Sequence, residues 1–224
     1  MSIFIPYVRT DTDELTYTIK GILENFPSPG MIYVVGDDPG IDDPRVTHVE
    51  QTFMPMQAAD PFSDVEAKFK SLVTQYSMKD VWIFNDDFFV LSPIKKVVVA
   101  HKGELESQLR LHAGRSDYYS RALRDTFEFL QKHGVDKPLN YELHIPMNMK
   151  VSRRLYYEAM IRDEVKRGKR LLMRSIYGNL EDIGGIRMED VKNPDKYSDK
   201  IFLSTSNKSF VSDHIGEYVR RTLG

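Results

Sequence analysis

The chain contains 224 residues, of which 41% are hydrophobic and 29% are charged, and its formal net charge at pH 7 is −2. This composition is typical of a globular protein with a sizeable core, and it excludes a fibrous or disordered chain. Because cysteine is absent, disulfides, zinc–thiolate sites and thiol nucleophiles are excluded. No apolar run reaches the roughly 18 residues of a membrane span, and the N-terminus lacks the basic flank of a signal peptide. We therefore expect a cytoplasmic protein without a membrane span.

The charged residues are distributed unevenly along the chain. Residues 1–65 hold eleven acidic and three basic side chains, a balance of −8, whereas residues 150–174 hold nine basic and three acidic ones, a balance of +6. The small overall charge argues against a general nucleic-acid-binding protein. The basic stretch indicates either a solvated helix face or a surface that attracts an anionic substrate.

Short apolar runs alternate with helical patterns in the first half of the chain. Strands are predicted at residues 3–8, 31–35, 46–49 and 81–84, with helical stripes at 15–26 and 69–76. The last of these strands is apolar without alternation, which is typical of a strand buried on both faces. We expect Asp11 and Glu14 to form a capping box at the first helix, and Ser63 and Glu66 to form one at the second.

This alternation predicts an α/β fold, in which helices flank a mostly parallel central sheet. Ligands of such sheets bind at the carboxyl ends of the strands. Asp37 follows the second strand, and Asp86 and Asp87 follow the fourth. We therefore expect these carboxylates at the ligand-binding edge.

The second half of the chain is less regular. Strands are predicted at residues 88–91, 97–100 and 202–203, and helices at 119–130, 152–167 and 213–223. Gly134 and Gly168 are expected to end the first two of these helices. The stretch 181–200 is rich in Gly, Asp, Asn and Lys, which predicts a mobile loop.

The most informative feature is Asn85-Asp86-Asp87, directly after the buried fourth strand. Carboxylates at the margin of a core need a cation or hydrogen-bond donors. Mg²⁺ and Mn²⁺ take oxygen ligands, usually one or two carboxylates together with phosphate oxygens. The pair therefore indicates either a divalent-cation site or an acidic turn that caps the next element, and its spacing alone is consistent with both.

The segment Asn85-Asp86-Asp87-Phe88-Phe89, with Leu91-Ser92-Pro93 after it, resembles a segment of small GT-A-type glycosyltransferases that bacteriophages commonly encode. It is also similar to the Stealth capsule-polysaccharide phosphotransferases. Further segments resemble theirs in the same order, at residues 13–19, 32–37, 144–146 and 174–179. Asn85 stands where the usual GT-A signature has an aspartate, and it brings no charge to a metal. The phage and Stealth proteins share this asparagine.

The resemblance implies a single GT-A-like, nucleotide-sugar-binding domain over residues 1–224. Residues 1–100 would form the nucleotide-binding half, and residues 101–224 the acceptor-side helices and C-terminal segment. It implies sugar transfer from a nucleotide-sugar donor, preferably a UDP-sugar, with Mn²⁺ or Mg²⁺ acting as a Lewis acid on the diphosphate. The acceptor stays open between a glycan, a protein and a modified nucleic-acid base. The location would be the host-cell cytoplasm if the chain is phage-encoded.

The same resemblance suggests the catalytic and metal-binding residues. Asp87 and His144 are expected to bind the metal, while Asn85 and Asp86 contact the metal or the ribose. His144 is also a candidate general base for an acceptor hydroxyl, since histidine titrates near neutral pH, and Glu142 is a second candidate. Strand alternation would place Glu142 and His144 on the same side. The alternative for His144 is a hydrogen-bonded structural histidine.

Five further residues are predicted to contact the substrate. Arg9 and Lys68 would reach the donor, and Asp37 would accept from its base or ribose. Arg174 and Tyr177 would hold a donor phosphate or the acceptor. Each has an ordinary alternative. Arg9 would be a surface arginine, and Lys68 would extend to solvent. Asp37 would belong to a turn, and Arg174 and Tyr177 would belong to a basic helix end.

Two other functions remain open at this point. A sugar-phosphate transferase like the Stealth proteins would use the same acidic turn, although the long Stealth chains carry further segments. A non-catalytic module would bind a nucleotide or a partner. A dinucleotide oxidoreductase fits poorly because no Gly-x-Gly-x-x-Gly follows the first strand, and the missing Walker motif excludes a P-loop kinase.

Overall fold

The computed structural model describes residues 1–57 and 60–224. The strands are β1 (Ser2–Tyr7), β2 (Ile32–Gly36), β3 (Val46–Val49), β4 (Asp80–Ile83), β5 (Phe88–Val90), β6 (Ala100–His101), β7 (Met147–Lys150), β8 (Ile186–Arg187) and β9 (Phe202–Ser204). The helices are α1 (Glu14–Asn25), α2 (Pro61–Gln75), α3 (Leu105–Leu111), α4 (Tyr118–Lys132), α5 (Val151–Lys166), α6 (Met173–Leu180), α7 (Asn207–Ser212) and α8 (His214–Leu223).

The central sheet has the strand order β3-β2-β1-β4-β7. All neighbours in it are parallel except β4 and β7, which pair antiparallel. The chain thus builds outward from β1 through β2 and β3 and then returns to the other side of β1 as β4. This order is compatible with a Rossmann-like arrangement, whose ligand crevice lies where the strand order reverses. The predicted α/β class with a mostly parallel sheet flanked by helices is confirmed.

Alternate residues of β1 explain why both sheet faces are covered. Phe4 packs on one face in a cluster with Phe69 of α2, whereas Ile3 and Ile5 pack on the other face with Ile22 of α1. All five side chains have no exposed surface. A strand that points apolar side chains to both faces must be apolar throughout, and therefore reads as an uninterrupted apolar run.

Both predicted capping boxes are wrong. Helix α1 begins after Asp13 without a side-chain cap. Glu14 is instead buried, and its carboxylate accepts hydrogen bonds from the hydroxyls of Thr12 and Thr205 at 2.9 and 2.6 Å. Helix α2 begins at Pro61, about two turns before the apolar stripe that predicts it. Asp60 caps it by accepting from the backbone N–H of Ser63, with Pro61 in its first turn.

The irregular second half was predicted in part. The strands at 88–91 and 202–203 are confirmed as β5 and β9, which pair with each other, and the three helices are confirmed as α4, α5 and α8. The strand predicted at 97–100 is wrong for most of its length, because only Ala100 enters β6. Strand β7 and helix α6 were not predicted. No helix in the described part of the chain combines the length and apolarity that crossing a bilayer requires.

Candidate functional site

A cavity of about 520 Å³ opens at the carboxyl end of β4. It lies where the N-terminal parts of α2, α4 and α6 approach the end of that strand. The cavity has an apolar wall and a set of converging polar groups, which is the usual make-up of a ligand pocket. Its polar lining residues are Glu66, Asn85, Lys102, Tyr119, Glu142, His144, Arg154, Arg174 and Asp190.

The predicted site residues divide between this cavity and its surroundings. Asn85, Glu142, His144 and Arg174 line the cavity. The others lie outside its lining in the described part of the chain, at the neighbouring strand ends, within α2 or in a second cavity. Those others are Arg9, Asp37, Lys68, Asp86, Asp87 and Tyr177.

The acidic turn is held between α1 and β9. The backbone carbonyl of Asp86 accepts a hydrogen bond from Thr18 Oγ1 at 2.7 Å. Asp87 Oδ2 accepts from Ser204 Oγ at 2.9 Å and lies 3.4 Å from Lys192 Nζ. Among the described residues, the buried Oδ1 atom of Asp87 has no hydrogen-bond partner. The Asp87 carboxylate therefore points into the protein rather than into bulk solvent.

Electrostatics at this turn favour an added positive charge. Burial is the main cause that raises the pKa of Asp86 to about 7, and the charges of Asp87 and Glu14 add to it. Lys192 acts in the opposite direction but is the weakest of these influences. The acidic turn thus carries more negative charge than Lys192 offsets. A bound cation would offset the remainder.

The fit of a divalent metal to these residues is partial. Within residues 1–57 and 60–224, no three His, Cys, Asp or Glu side chains converge to hold a metal ion. A hard cation nevertheless suits two features of the turn. Asp87 Oδ1 has no hydrogen-bond partner among the described residues, and the negative charge at Asp86 is not fully offset. Such a cation would take its remaining ligands from substrate oxygens. The role of His144 as a second metal ligand beside Asp87 stays a prediction.

His144 is held by a carboxylate that sequence reasoning missed. Its Nδ1 atom lies 2.9 Å from both carboxylate oxygens of Asp190, and its backbone N–H donates to Asp190 Oδ1 at 3.1 Å. Lys102 Nζ lies 2.6 Å from the other oxygen. Although burial opposes it, the interactions with His144 and Lys102 hold the pKa of Asp190 well below its usual range. Because an ionised carboxylate accepts the Nδ1 proton, Nε2 is the ring nitrogen left for a substrate.

Glu142 and His144 line the same cavity, but the predicted reason is wrong, since residues 141–146 form no strand. Glu142 Oε1 accepts from the backbone N–H and the hydroxyl of Ser175, both at 3.0 Å, and so holds the start of α6. A carboxylate that satisfies a helix N-terminus has a structural task. Its predicted role as a general base therefore stands second to that of His144.

Arg174 acts on the backbone around His144. Its guanidinium donates to the carbonyls of Leu143, Ile145 and Ile83, the last two at 2.8 and 3.1 Å. Burial lowers its pKa to about 10, so it remains charged at neutral pH. Because it fastens both neighbours of His144 to the end of β4, Arg174 positions the histidine. This is a different role from the predicted phosphate contact.

Tyr177 lies in a second cavity of about 240 Å³. Its hydroxyl accepts a hydrogen bond from the backbone N–H of Lys150 at 2.9 Å. Arg174 lines both cavities and stands between them. The structure therefore does not bring Tyr177 to the larger cavity, and its contact with a donor phosphate or the acceptor stays a prediction.

Arg9 and Asp37 meet at the ends of β1 and β2. The backbone N–H of Arg9 donates to Asp37 Oδ2 at 2.7 Å, and its guanidinium donates to the Asp38 carbonyl at 2.5 Å. Burial is the main cause that raises the pKa of Tyr7 at the end of β1, and the charges of Asp86 and Asp37 add to it. The predicted edge of the sheet is therefore acidic at β2 and β4, as expected.

Lys68 is buried beneath the same edge instead of extending to solvent. It is 3% exposed and pairs with Asp64 at 2.5 Å. A Cβ atom added to Gly36, whose φ is +126°, would lie 2.2 Å from the Tyr7 carbonyl and 2.6 Å from Lys68 Cε. Glycine at the end of β2 thus leaves room for the lysine stem. The predicted donor contact of Lys68 would require it to leave Asp64.

The basic stretch around α5 is matched by local acids. Arg154 pairs with Glu158 at 2.9 Å, and Arg153 pairs with Glu181 at 2.5 Å. Lys169 lies within 3.0 Å of carboxylates on α4. Glu158 is already counted in the +6 balance, whereas Glu181 and the two carboxylates on α4 lie outside residues 150–174 and offset about half of it. This favours the solvated-helix alternative over a polyanion-binding surface.

No protein-family model matches this chain. No curated protein matches it in sequence. The resemblance to GT-A-type enzymes consequently depends on the short ordered motifs, of which residues 85–89 are the most specific.

Proposed function

We propose that this protein is a glycosyltransferase with a GT-A-like fold, which uses a nucleotide-sugar donor and a divalent cation. One observation carries the proposal: Asp86 and Asp87 form a partly buried carboxylate pair with a deficit of positive charge, at the end of β4 and next to the large cavity. This position borders the point where the strand order reverses around β1. Nucleotides bind at such points in open α/β sheets.

The donor would lie across the carboxyl ends of β1, β2 and β4, on the half formed by residues 1–100. Asp37 and Arg9 stand at the first two of these ends and suit the base or ribose. Mn²⁺ or Mg²⁺ held by Asp87 with Asp86 would offset the charge of the diphosphate that departs. Asn85 reaches the cavity, where its amide can bond the ribose or the donor sugar.

The acceptor would enter the cavity on the side of His144. His144 Nε2 takes the proton of an acceptor hydroxyl, whose oxygen bonds to the anomeric carbon while the bond from that carbon to the diphosphate oxygen breaks. The nucleoside diphosphate leaves with the bonding electrons. Asp190 stabilises the imidazolium that forms, and Arg174 keeps the ring in place through the carbonyls on either side of it.

The test is product analysis with a panel of UDP-, GDP- and CMP-sugars in the presence of Mn²⁺. We expect release of nucleoside diphosphate from at least one UDP- or GDP-sugar, and a loss of at least about 100-fold in Asp87→Ala. Asp136→Asn, an exposed aspartate after α4, is the matched control and should turn over normally.

Other products would point to the alternatives. Nucleoside monophosphate instead of diphosphate would indicate transfer of a sugar phosphate. If no donor is consumed and none raises the melting temperature of the protein, the glycosyltransferase proposal is wrong and a non-catalytic module is favoured. Wild-type turnover by a folded Asp87→Ala variant would refute the metal assignment alone.

A further inference from the structure

Glu66 and Arg154 are ionisable side chains of the large cavity that have no part in the proposed reaction. Glu66 lies on the second turn of α2, and Arg154 lies on the first turn of α5. The Arg154 side chain is only 2% exposed, donates from Nε to Glu158 Oε1 at 2.9 Å, and stacks 3.7 Å from the ring centre of Phe69. A guanidinium held this firmly is a fixed feature of the cavity wall.

The carboxyl group of Glu66 has no protein partner in the described ranges. Its charged neighbours there are Arg154, Glu158 and Asp60, and none is within hydrogen-bond or ion-pair distance of it. Burial, with the charge of Glu158, raises the pKa of Glu66 to about 8. At neutral pH the group is therefore a neutral acid with one O–H donor and free acceptor oxygens, facing the cavity.

The groups at and around Glu66 and Arg154 indicate which kind of ligand the cavity suits. A neutral acid beside a guanidinium offers donors and acceptors but little net charge to attract an ion. Part of the cavity lining is apolar and suits the C–H faces of a ring. The apolar lining residues include Phe62, Val65, Met149, Leu171 and Leu172.

We propose that Glu66 and Arg154 form a subsite for an uncharged, hydroxyl-bearing ring, such as the pyranose ring of a sugar. The carboxyl group of Glu66, which lines the cavity without a protein partner in the described ranges, favours a ligand that supplies the missing hydrogen bonds. The identification of this ring as the acceptor sugar rests on the proposed function, whereas the subsite itself does not.

The pH dependence of this subsite follows from Glu66. Ionisation of its carboxyl removes the donor proton and places a second negative charge beside Glu158, so binding weakens above a pH of about 8. The charged or titratable groups that face Glu66 or share its cavity are Asp60, Lys102, Tyr119, Glu142, His144, Arg154, Glu158, Arg174 and Asp190. Only a substitution at Glu66 itself therefore isolates its contribution.

The experiment measures binding of methyl glycosides of glucose, galactose, mannose and N-acetylglucosamine by protein NMR, without nucleotide or metal. We expect saturable shifts of cavity methyl groups, including Met149, with at least one glycoside at about pH 6.5. In the wild type, affinity should fall about 30-fold at about pH 9.5, where some 3% of a group with a pKa of about 8 stays protonated. Glu66→Gln, which keeps a donor and an acceptor, should bind equally at both pH values.

Two further variants complete the test. Glu66→Leu should weaken glycoside binding at least 10-fold, and Glu24→Gln, an exposed glutamate on α1, should not change it. The proposal is overturned if no glycoside binds the wild type, if Glu66→Leu binds as well as the wild type, or if Glu66→Gln loses binding. Glycoside binding without turnover of any nucleotide sugar would refute the proposed function and leave the subsite standing.

Discussion

The raised pKa of Asp86 implies that the acidic turn destabilises the fold when no cation is bound. A rise of the pKa from 3.8 to about 7 corresponds to about 4 kcal/mol of lost folding free energy once the carboxyl is ionised in both states. Asp86→Asn removes this charge and keeps the size of the side chain. The variant should therefore be more stable than the wild type by up to about 4 kcal/mol at pH 8.5.

The sign of the pH dependence follows from proton binding. Between a pH of about 4 and about 7, the folded wild type binds more protons at Asp86 than the unfolded chain does, so its stability falls as pH rises. The advantage of Asp86→Asn should therefore grow with pH. It should be about 1.7 kcal/mol at pH 5 and about 4 kcal/mol at pH 8.5.

Urea unfolding of both proteins at these two pH values measures the difference, and the thermal midpoint should rise by roughly 8–16 °C at pH 8.5. Asp136→Asn is the matched control, since this aspartate is exposed, and it should change stability by less than about 0.5 kcal/mol. An Asp86→Asn variant that is no more stable than the wild type, or whose advantage shrinks as pH rises, would refute the reasoning.

Three further predictions concern the metal and the base. Mn²⁺ affinity, measured by calorimetry, should rise about 10-fold from pH 6 to pH 8 in the wild type as Asp86 ionises; a flat profile would contradict its role. Asp190→Asn should lower turnover at least about 100-fold and shift the His144 tautomer in ¹⁵N NMR spectra, and an unchanged tautomer would exclude positioning. Arg174→Met should cost about 3 kcal/mol or more in urea unfolding, because buried carbonyls lose their donor; a loss below about 1 kcal/mol would contradict the clamp.

The sheet was predictable because a strand that is buried on both faces needs apolar residues throughout its length. Strands β1, β2 and β4 appear as apolar runs that end in polar residues, so the edge with Asp37 and Asp86 followed from strand order. Helix starts were less predictable. Asp60 rather than Ser63 caps α2, since several residues of capping type stand close together and only the path of the chain selects one.

Most of the cavity was beyond sequence reasoning because its contacts are distant in the chain. Asp190 meets His144 across 46 positions, from a stretch whose composition predicted a mobile loop. Lys192 of the same stretch reaches Asp87, and Glu66 was assigned to a capping box. Local patterns mark which residues a helix buries, but they carry no signal for which side chains face each other across a cavity.

The metal bound by Asp87 would be seen most directly in a crystal structure with Mn²⁺ and a UDP-sugar, with anomalous scattering recorded at the manganese edge. We expect one strong anomalous peak bonded to the carboxylate of Asp87 and to phosphate oxygens of the donor, with Lys192 displaced from that carboxylate. A peak remote from Asp86 and Asp87, or a donor bound away from the ends of β1, β2 and β4, would contradict this expectation.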